Sequence, residues 1–228
     1  WGAPRDLELI GKLQSTFAPM ASFIEENHMI TAEGFKRGNR KHQCCDFEGL
    51  PLVEAKSFKP YYISSDKLPT VDFDDFECIV KNAREIFKAP HLIIKQSHKN
   101  GQFLSEVLDY DAVFNHSLLG IYGEIEQLKY LSVIIGSRIF SYYHILTNRK
   151  WLVERDELEA GDIWQTPIPK PNNAELTEAC NIFDKLVKSP KENYLLEQFA
   201  RNMYRLKEYE CYQIDDVIDY DYFLLGTL

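Results

Sequence analysis

The sequence predicts an α+β fold: a small mixed β-sheet packed on a long buried helix, followed by a C-terminal helical segment. Short β-branched and apolar runs bounded by turn residues crowd between residues 91 and 122. One broad apolar stripe at three- and four-residue spacing runs from Glu124 to Thr147. Beyond a proline-interrupted connector ending at Pro171, helical patterns continue to the end of the chain. These features divide the chain into an α+β domain over residues 1–172 and a helical segment over 173–228.

The elements follow in order. Pro4 suits a first helical turn, and Leu7, Ile10 and Leu13 give residues 5–15 one apolar side. Residues 28–50 lose periodicity and gather glycine, asparagine and charge, as a loop or hairpin does. Pro60 before Tyr61-Tyr62-Ile63 favours extended chain in Leu52–Ser64, and 72–87 reads as a loop leading into a short helix. His91–Gln96 is an unbroken apolar run after Pro90, the pattern of a buried strand, and residues 102–108, 112–115 and 117–122 supply further short strands. In 124–147, Leu128, Leu131, Ile135, Ile139, Tyr142 and Leu146 line one stripe, and Gly136-Ser137 lets a neighbour approach closely. Prolines at 167, 169 and 171 force the connector to run extended. Helices are expected over 173–188, with Leu176, Cys180, Phe183 and Val187 on one face, and over 191–207 and 212–225.

Composition bounds the function. With 228 residues, 45% hydrophobic and 27% charged, the chain can bury a full core and is not a disordered segment. No apolar run approaches the roughly 18 residues of a bilayer span and no signal-peptide pattern opens the sequence, so a cytoplasmic protein without membrane association is expected. The absence of an initiator Met suggests an excised piece. Five cysteines without a C-x-x-C pair indicate neither a disulfide framework nor a zinc site, and reduced thiols are expected. The net charge of −9 is uneven: residues 1–101 balance 14 Lys+Arg against 14 Asp+Glu, whereas 102–228 hold 12 against 21. A basic face can therefore sit within an acidic total.

The usual catalytic signatures are missing: no phosphate-binding glycine loop, no H-E-x-x-H, no G-x-S-x-G. His42, Cys44 and Cys45 are poorly spaced for a metal, and the acids Asp72, Asp74, Asp75 and Glu77, like Asp215, Asp216 and Asp219, read as solvated surface. Ser97-His98 are adjacent on a strand end and point to opposite sides, which gives no nucleophile–base geometry.

The order of features in 86–171 resembles a known family. Ile86-Phe87-Lys88-Ala89-Pro90-His91-Leu92-Ile93-Ile94-Lys95 is similar to the F-x-x-P-x-L-[LI]-I-[KR] strand that follows the catalytic domain of adenine-specific DNA methyltransferases of restriction–modification type, the N-6 DNA methylase family. Gly120-Ile121-Tyr122-Gly123 resembles that region's glycine-bounded strand, and Leu128–Tyr143 its L-x-x-L-x-x-x-[LI]-N-S-x-[LIF]-x-x-[YF]-[YF] helix, with Gly136 in place of the asparagine. Trp151-Leu152-Val153-Glu154-Arg155 resembles W-G-x-E-R, with Leu152 in place of the glycine, and Thr166-Pro167-Ile168-Pro169 resembles x-P-[IF]-P.

The resemblance implies a C-terminal target-recognition region. Its partners would be double-stranded DNA and a catalytic domain in the same polypeptide. S-adenosylmethionine would be the cofactor of that parent enzyme and not of this piece, because the family's Asn/Asp-Pro-Pro-Tyr/Phe motif and cofactor-binding glycine motif occur nowhere here. The chain alone is expected to be non-catalytic, and whether the parent also carries an endonuclease stays open. Three groups could read base edges or grip phosphates: Lys36, Arg37, Asn39, Arg40 and Lys41; Lys95, Gln96, Lys99 and Asn100; and Arg149, Lys150 and Arg155 around Trp151. Two other readings are a protein-interaction module using the acidic helical tail, and a hydrolase using His91, His98 or His116.

Overall fold

The computed structural model describes residues 3–35, 47, 49–58, 61–71, 83–99, 102–148 and 157–225. Helix α1 (Pro4–Thr16) opens with Pro4, whose missing N–H has no partner to lose at that position, and the Asp6 carboxylate accepts from the Ala3 amide at 2.6 Å. Its buried residues are Asp6, Leu9, Ile10 and Leu13. Leu7, expected inside, is 69% exposed, because Asp6 takes the inward position for its own hydrogen bonds. The sequence pattern did not suggest α2 (Met20–Glu26), which follows Pro19; β1 (Ile30–Glu33) opens the stretch read as a loop or hairpin, and its partner is the distant β6.

The sheet is built from β1, β3 (His91–Lys99), β4 (Gln102–Leu108) and β6 (Leu118–Tyr122) in the order β1-β6-β3-β4, every neighbour antiparallel. Parallel pairing occurs apart from this ladder, between β2 (Leu52–Val53) and β5 (Val113–Phe114). Side chains of alternate strand residues leave opposite faces. Leu92, Ile94, Phe103, Val107, Leu119 and Ile121 therefore face the helices, while Ile93, Leu104, Leu108 and Leu118 face an irregular layer containing Phe35, Phe47, Val53, Ile63, Phe87 and Phe114.

The long helix expected over 124–147 is two helices, α3 (Ile125–Ile135) and α4 (Arg138–Thr147). Gly136 keeps a helical φ of −71°, but Ser137 is extended at φ −80°, ψ 152°. Partners on both sides stabilise the break. The Ser137 hydroxyl donates to the Ile134 carbonyl at 2.6 Å, and the Arg138 amide, first of α4, donates to the Glu197 carboxylate at 3.0 and 3.2 Å. Leu196 sits so close that a Cβ on Gly136 would lie 3.0 Å from its Cδ1.

A short helix, α5 (Ala160–Trp164), interrupts a stretch that read as irregular. The proline connector then runs extended and buried beside residues 18–20: Met20 N–H donates to the Thr166 carbonyl at 2.8 Å and Ile168 N–H to that of Ala18 at 2.9 Å. The buried Tyr130 and Tyr204 hydroxyls donate to the carbonyls of Pro169 and Pro167.

Asn172 starts α6 (Asn173–Lys188) by accepting from the Ala174 and Glu175 amides at 2.9 and 3.0 Å, while Glu175 accepts from the Asn172 amide, a reciprocal cap. Its buried residues are Ala179, Ile182, Phe183 and Leu186. The stripe is rotated from the expected one, which left Val187 inside, because both sets satisfy helical spacing. Helices α7 (Asn193–Met203) and α8 (Glu208–Leu225) complete the layer. One apolar core joins residues of α1 to α4 and α6 to α8 over the sheet. Among the described residues no helix is long and apolar enough to cross a membrane.

Candidate nucleic-acid interface

Strand register decides where the three basic groups are anchored. β1 runs from Ile30, opposite Tyr122, to Glu33, opposite Leu119. The chain then passes through Gly34 and Phe35, whose amides donate to the Leu118 and Phe114 carbonyls at 3.0 Å each, while His116 N–H donates to the Phe35 carbonyl at 2.9 Å. Gly34 is required here: a Cβ would lie 2.3 Å from the carbonyl oxygens of Phe114 and Asn115. Gly34 thus lies beside Leu118, the residue paired with Lys95 on β3.

The second group lies at the end of β3. After the Ile94–Ser105 pair, the next pair with β4 is His98–Phe103, so Lys95, Gln96 and Ser97 stand opposite the single residue Leu104. This bulge turns the strand edge toward another segment. Leu158 N–H donates to the Gln96 carbonyl at 3.0 Å, the Gln96 amide donates back to the Leu158 carbonyl at 3.0 Å, and Ser97 bridges Glu157. Glu157-Leu158 therefore continues the sheet where β6 has ended.

The third group, between Asn148 and Glu157, is flanked at the same place. Its downstream flank is the Glu157–Ser97 bridge. Upstream, the last turns of α4 lie over the start of β4, with the His144 and Phe103 rings 5.6 Å apart. Asn148 is fixed by its amide to the Asp162 carboxylate at 2.8 Å. Phe35, Lys95–Lys99 and Asn148/Glu157 all belong to the end of the sheet opposite His91.

Of the proposed residues, Lys95 is half-buried, with no ion-pair partner among the described residues. Gln96 is buried and holds Leu158, and the Lys99 backbone pairs with Gln102. Lys36, Arg37, Asn39, Arg40, Lys41, Asn100, Arg149, Lys150 and Arg155 lie outside the described residues, as do Trp151 and the acids Asp72 to Glu77.

Two histidines are buried within the fold. His91 is buried, burial lowers its pKa, and its Nδ1 faces the Ile86 carbonyl at 2.5 Å. It stands six positions from Ser97 along one strand, about 20 Å at strand rise. His144 is buried with a pKa pushed down to about 3 by desolvation, its Nε2 2.9 Å from the Thr166 hydroxyl. Among the described residues no three His, Cys, Asp or Glu side chains group as metal ligands.

No protein-family model and no curated protein matches the chain. Among solved structures it is similar to a chain of a type I R-M system studied for its complex assembly and conformational transition, with TM-score 0.44 and 12% identity over 95% of this chain and 51% of that one. It is likewise similar to the HsdS subunit from Thermoanaerobacter tengcongensis, with TM-score 0.44 and 11% identity over 93% of this chain and 49% of that one. The chain spans about half the length of each of these structures.

Proposed function

We propose that this chain is a DNA sequence-recognition module of a restriction–modification enzyme, and that it positions duplex DNA for adenine methylation performed elsewhere in the assembly. The observation that carries the reading is topological. Described residues that flank or belong to three basic segments far apart in sequence, Phe35, Lys95–Lys99 and Asn148/Glu157, lie toward one end of one sheet. Together residues 36–41, 95–100 and 149–155 contain nine Lys and Arg and one acid, Glu154, in a chain of net charge −9. Such a concentration suits the phosphate backbone, and Asn39, Asn100 and the arginines have the donor geometry for adenine and guanine edges in the major groove. The family resemblance across 86–171 supplies the methyltransferase context: S-adenosylmethionine and the catalytic machinery belong to another domain or subunit.

The reading is tested by fluorescence anisotropy of a labelled duplex titrated with the chain across a salt series. Binding at low salt should weaken as salt rises, and Arg37→Gln/Arg40→Gln, Lys95→Gln/Lys99→Gln and Arg149→Gln/Arg155→Gln should each flatten the log–log slope by about 1 to 2. Absence of binding at low ionic strength, or an unchanged slope in all three variants, would overturn it.

One observation favours a protein-docking role for α8 as a second reading. Tyr209, Tyr212, Asp216 and Asp219 share an exposed stripe, with the two tyrosines more than half exposed. Retention of a protein partner by a chain that binds no DNA, and its loss on Tyr209→Ala/Tyr212→Ala, would favour this reading.

A further inference from the structure

Within the acidic second part of the chain, residues 185–194 reverse the balance, with Lys185, Lys188 and Lys191 against Glu192 alone. All three lysines are exposed, and none has an ion-pair partner among the described residues. Beside them Tyr194 is 65% exposed, and Val187 also meets solvent. Lys185 and Lys188 complement the negative end of the α6 dipole, which accounts for neither Lys191 nor the outward tyrosine.

The position of this corner follows from six contacts. Ser105 of β4 shares a 2.9 Å hydrogen bond with Ser132 of α3, and Gln102, at the start of β4, donates to the Gly136 carbonyl at 2.6 Å. Helix α3 thus runs antiparallel to β4 and ends above the start of β4. The Cys180 thiol reaches the Glu126 carbonyl at 3.8 Å and Lys129 pairs with Asp184 at 2.6 Å, so α6 runs parallel to α3, toward the same end. The start of α7 stays there: Leu196 abuts Gly136, and Asn193 accepts from the Tyr61 hydroxyl at 2.6 Å.

We infer that the α6–α7 corner, through Lys185, Lys188, Lys191 and Tyr194, is a fourth contact surface for the sugar–phosphate backbone of the duplex, on the helical side of the same end of the molecule. The inference rests on the DNA-binding reading and adds the helical segment to it. The lysines supply point charges for phosphates, and the tyrosine adds a hydroxyl donor on a half-apolar platform. No base is read there, so the contribution is independent of sequence.

The test uses the full chain and a labelled duplex of arbitrary sequence in a potassium chloride series. Lys185→Gln/Lys188→Gln/Lys191→Gln should flatten the slope of log affinity against log salt by about 2 to 3, weaken low-salt binding at least tenfold, and leave the melting temperature unchanged. A control, Lys67→Gln/Lys88→Gln, removes charge from the irregular layer and should leave the slope unchanged. If the unmodified chain binds DNA and the triple variant keeps its slope, the corner is not a contact and the inference falls alone. If the unmodified chain binds no duplex, the DNA-binding reading falls with it.

Discussion

At the scale of single residues, buried polar groups tie the helices into one unit. Asp6 is buried, and its carboxylate accepts from the Tyr142 hydroxyl at 3.0 Å, the Gln213 amide at 2.8 Å and the Ala3 amide at 2.6 Å, joining α1, α4 and α8. Removing the acceptor strands the donors without water, so Asp6→Ala should destabilise the fold by about 3 kcal/mol in chemical denaturation, and Asp6→Asn by less. None of this was legible beforehand, because periodicity assigns an acid to the outward face and Leu7 to the inward one. Glu197 carries a different signature. Burial raises its pKa to about 7 against the opposing pull of the Arg138 amide and of the Arg138 and Arg201 charges, while Asp215 on α8 pushes it further up. The native state therefore holds the proton more tightly than the unfolded chain. This contribution is fully present below the unfolded carboxyl pKa of 4.5 and is lost as pH rises through about 7. Glu197→Gln, which still offers an oxygen to the Arg138 amide, should flatten that limb by up to about 3 kcal/mol, less what solvent screens on its partly exposed side. His144 acts in the opposite direction. Its depressed pKa gives stability above the usual histidine range that is lost as pH falls from 6.5 toward about 3, so His144→Phe should blunt acid unfolding followed by circular dichroism.

At the scale of elements, strands were readable where a single local rule dominates. The β-branched run of β3, the turn-bounded strands β4 to β6 and the helix over 173–188 all lie where their residues place them. Elements whose existence depends on a distant partner were not. β1 exists because β6 receives it, and the α3–α4 break persists because Glu197 and Leu196 of α7 meet it from outside. The tightest such dependence is at Gly34, where the chain passes against the Phe114 and Asn115 carbonyls. Gly34→Ala forces backbone apart and should cost about 2 to 3 kcal/mol. Because the same hydrogen bonds hold Phe35, the residue that precedes Lys36–Lys41 in sequence, duplex affinity should fall further than the stability loss explains in protein that remains folded.

At the scale of the whole molecule, the candidate site is a property of register. Nothing in the sequence places residues 96 and 97 beside residues 157 and 158. The bulge at Lys95–Ser97 and the double hydrogen bond between Gln96 and Leu158 do so. The basic residues could be named from their charge, but the positions of the residues that flank them could not, and the lysines of the α6–α7 corner were hidden by the acidity around them. The central claim is that one end of the sheet faces the double helix. Hydrogen–deuterium exchange with and without duplex DNA reads this directly. DNA should protect peptides covering Gly34 to Phe47, Lys95 to Gln102, Asn148 to Leu158 and Lys185 to Tyr194, and leave the His91 end and the outer stripe of α8 unchanged. Protection centred on the His91 end or on α8, or none at a concentration that saturates binding, would contradict the assignment.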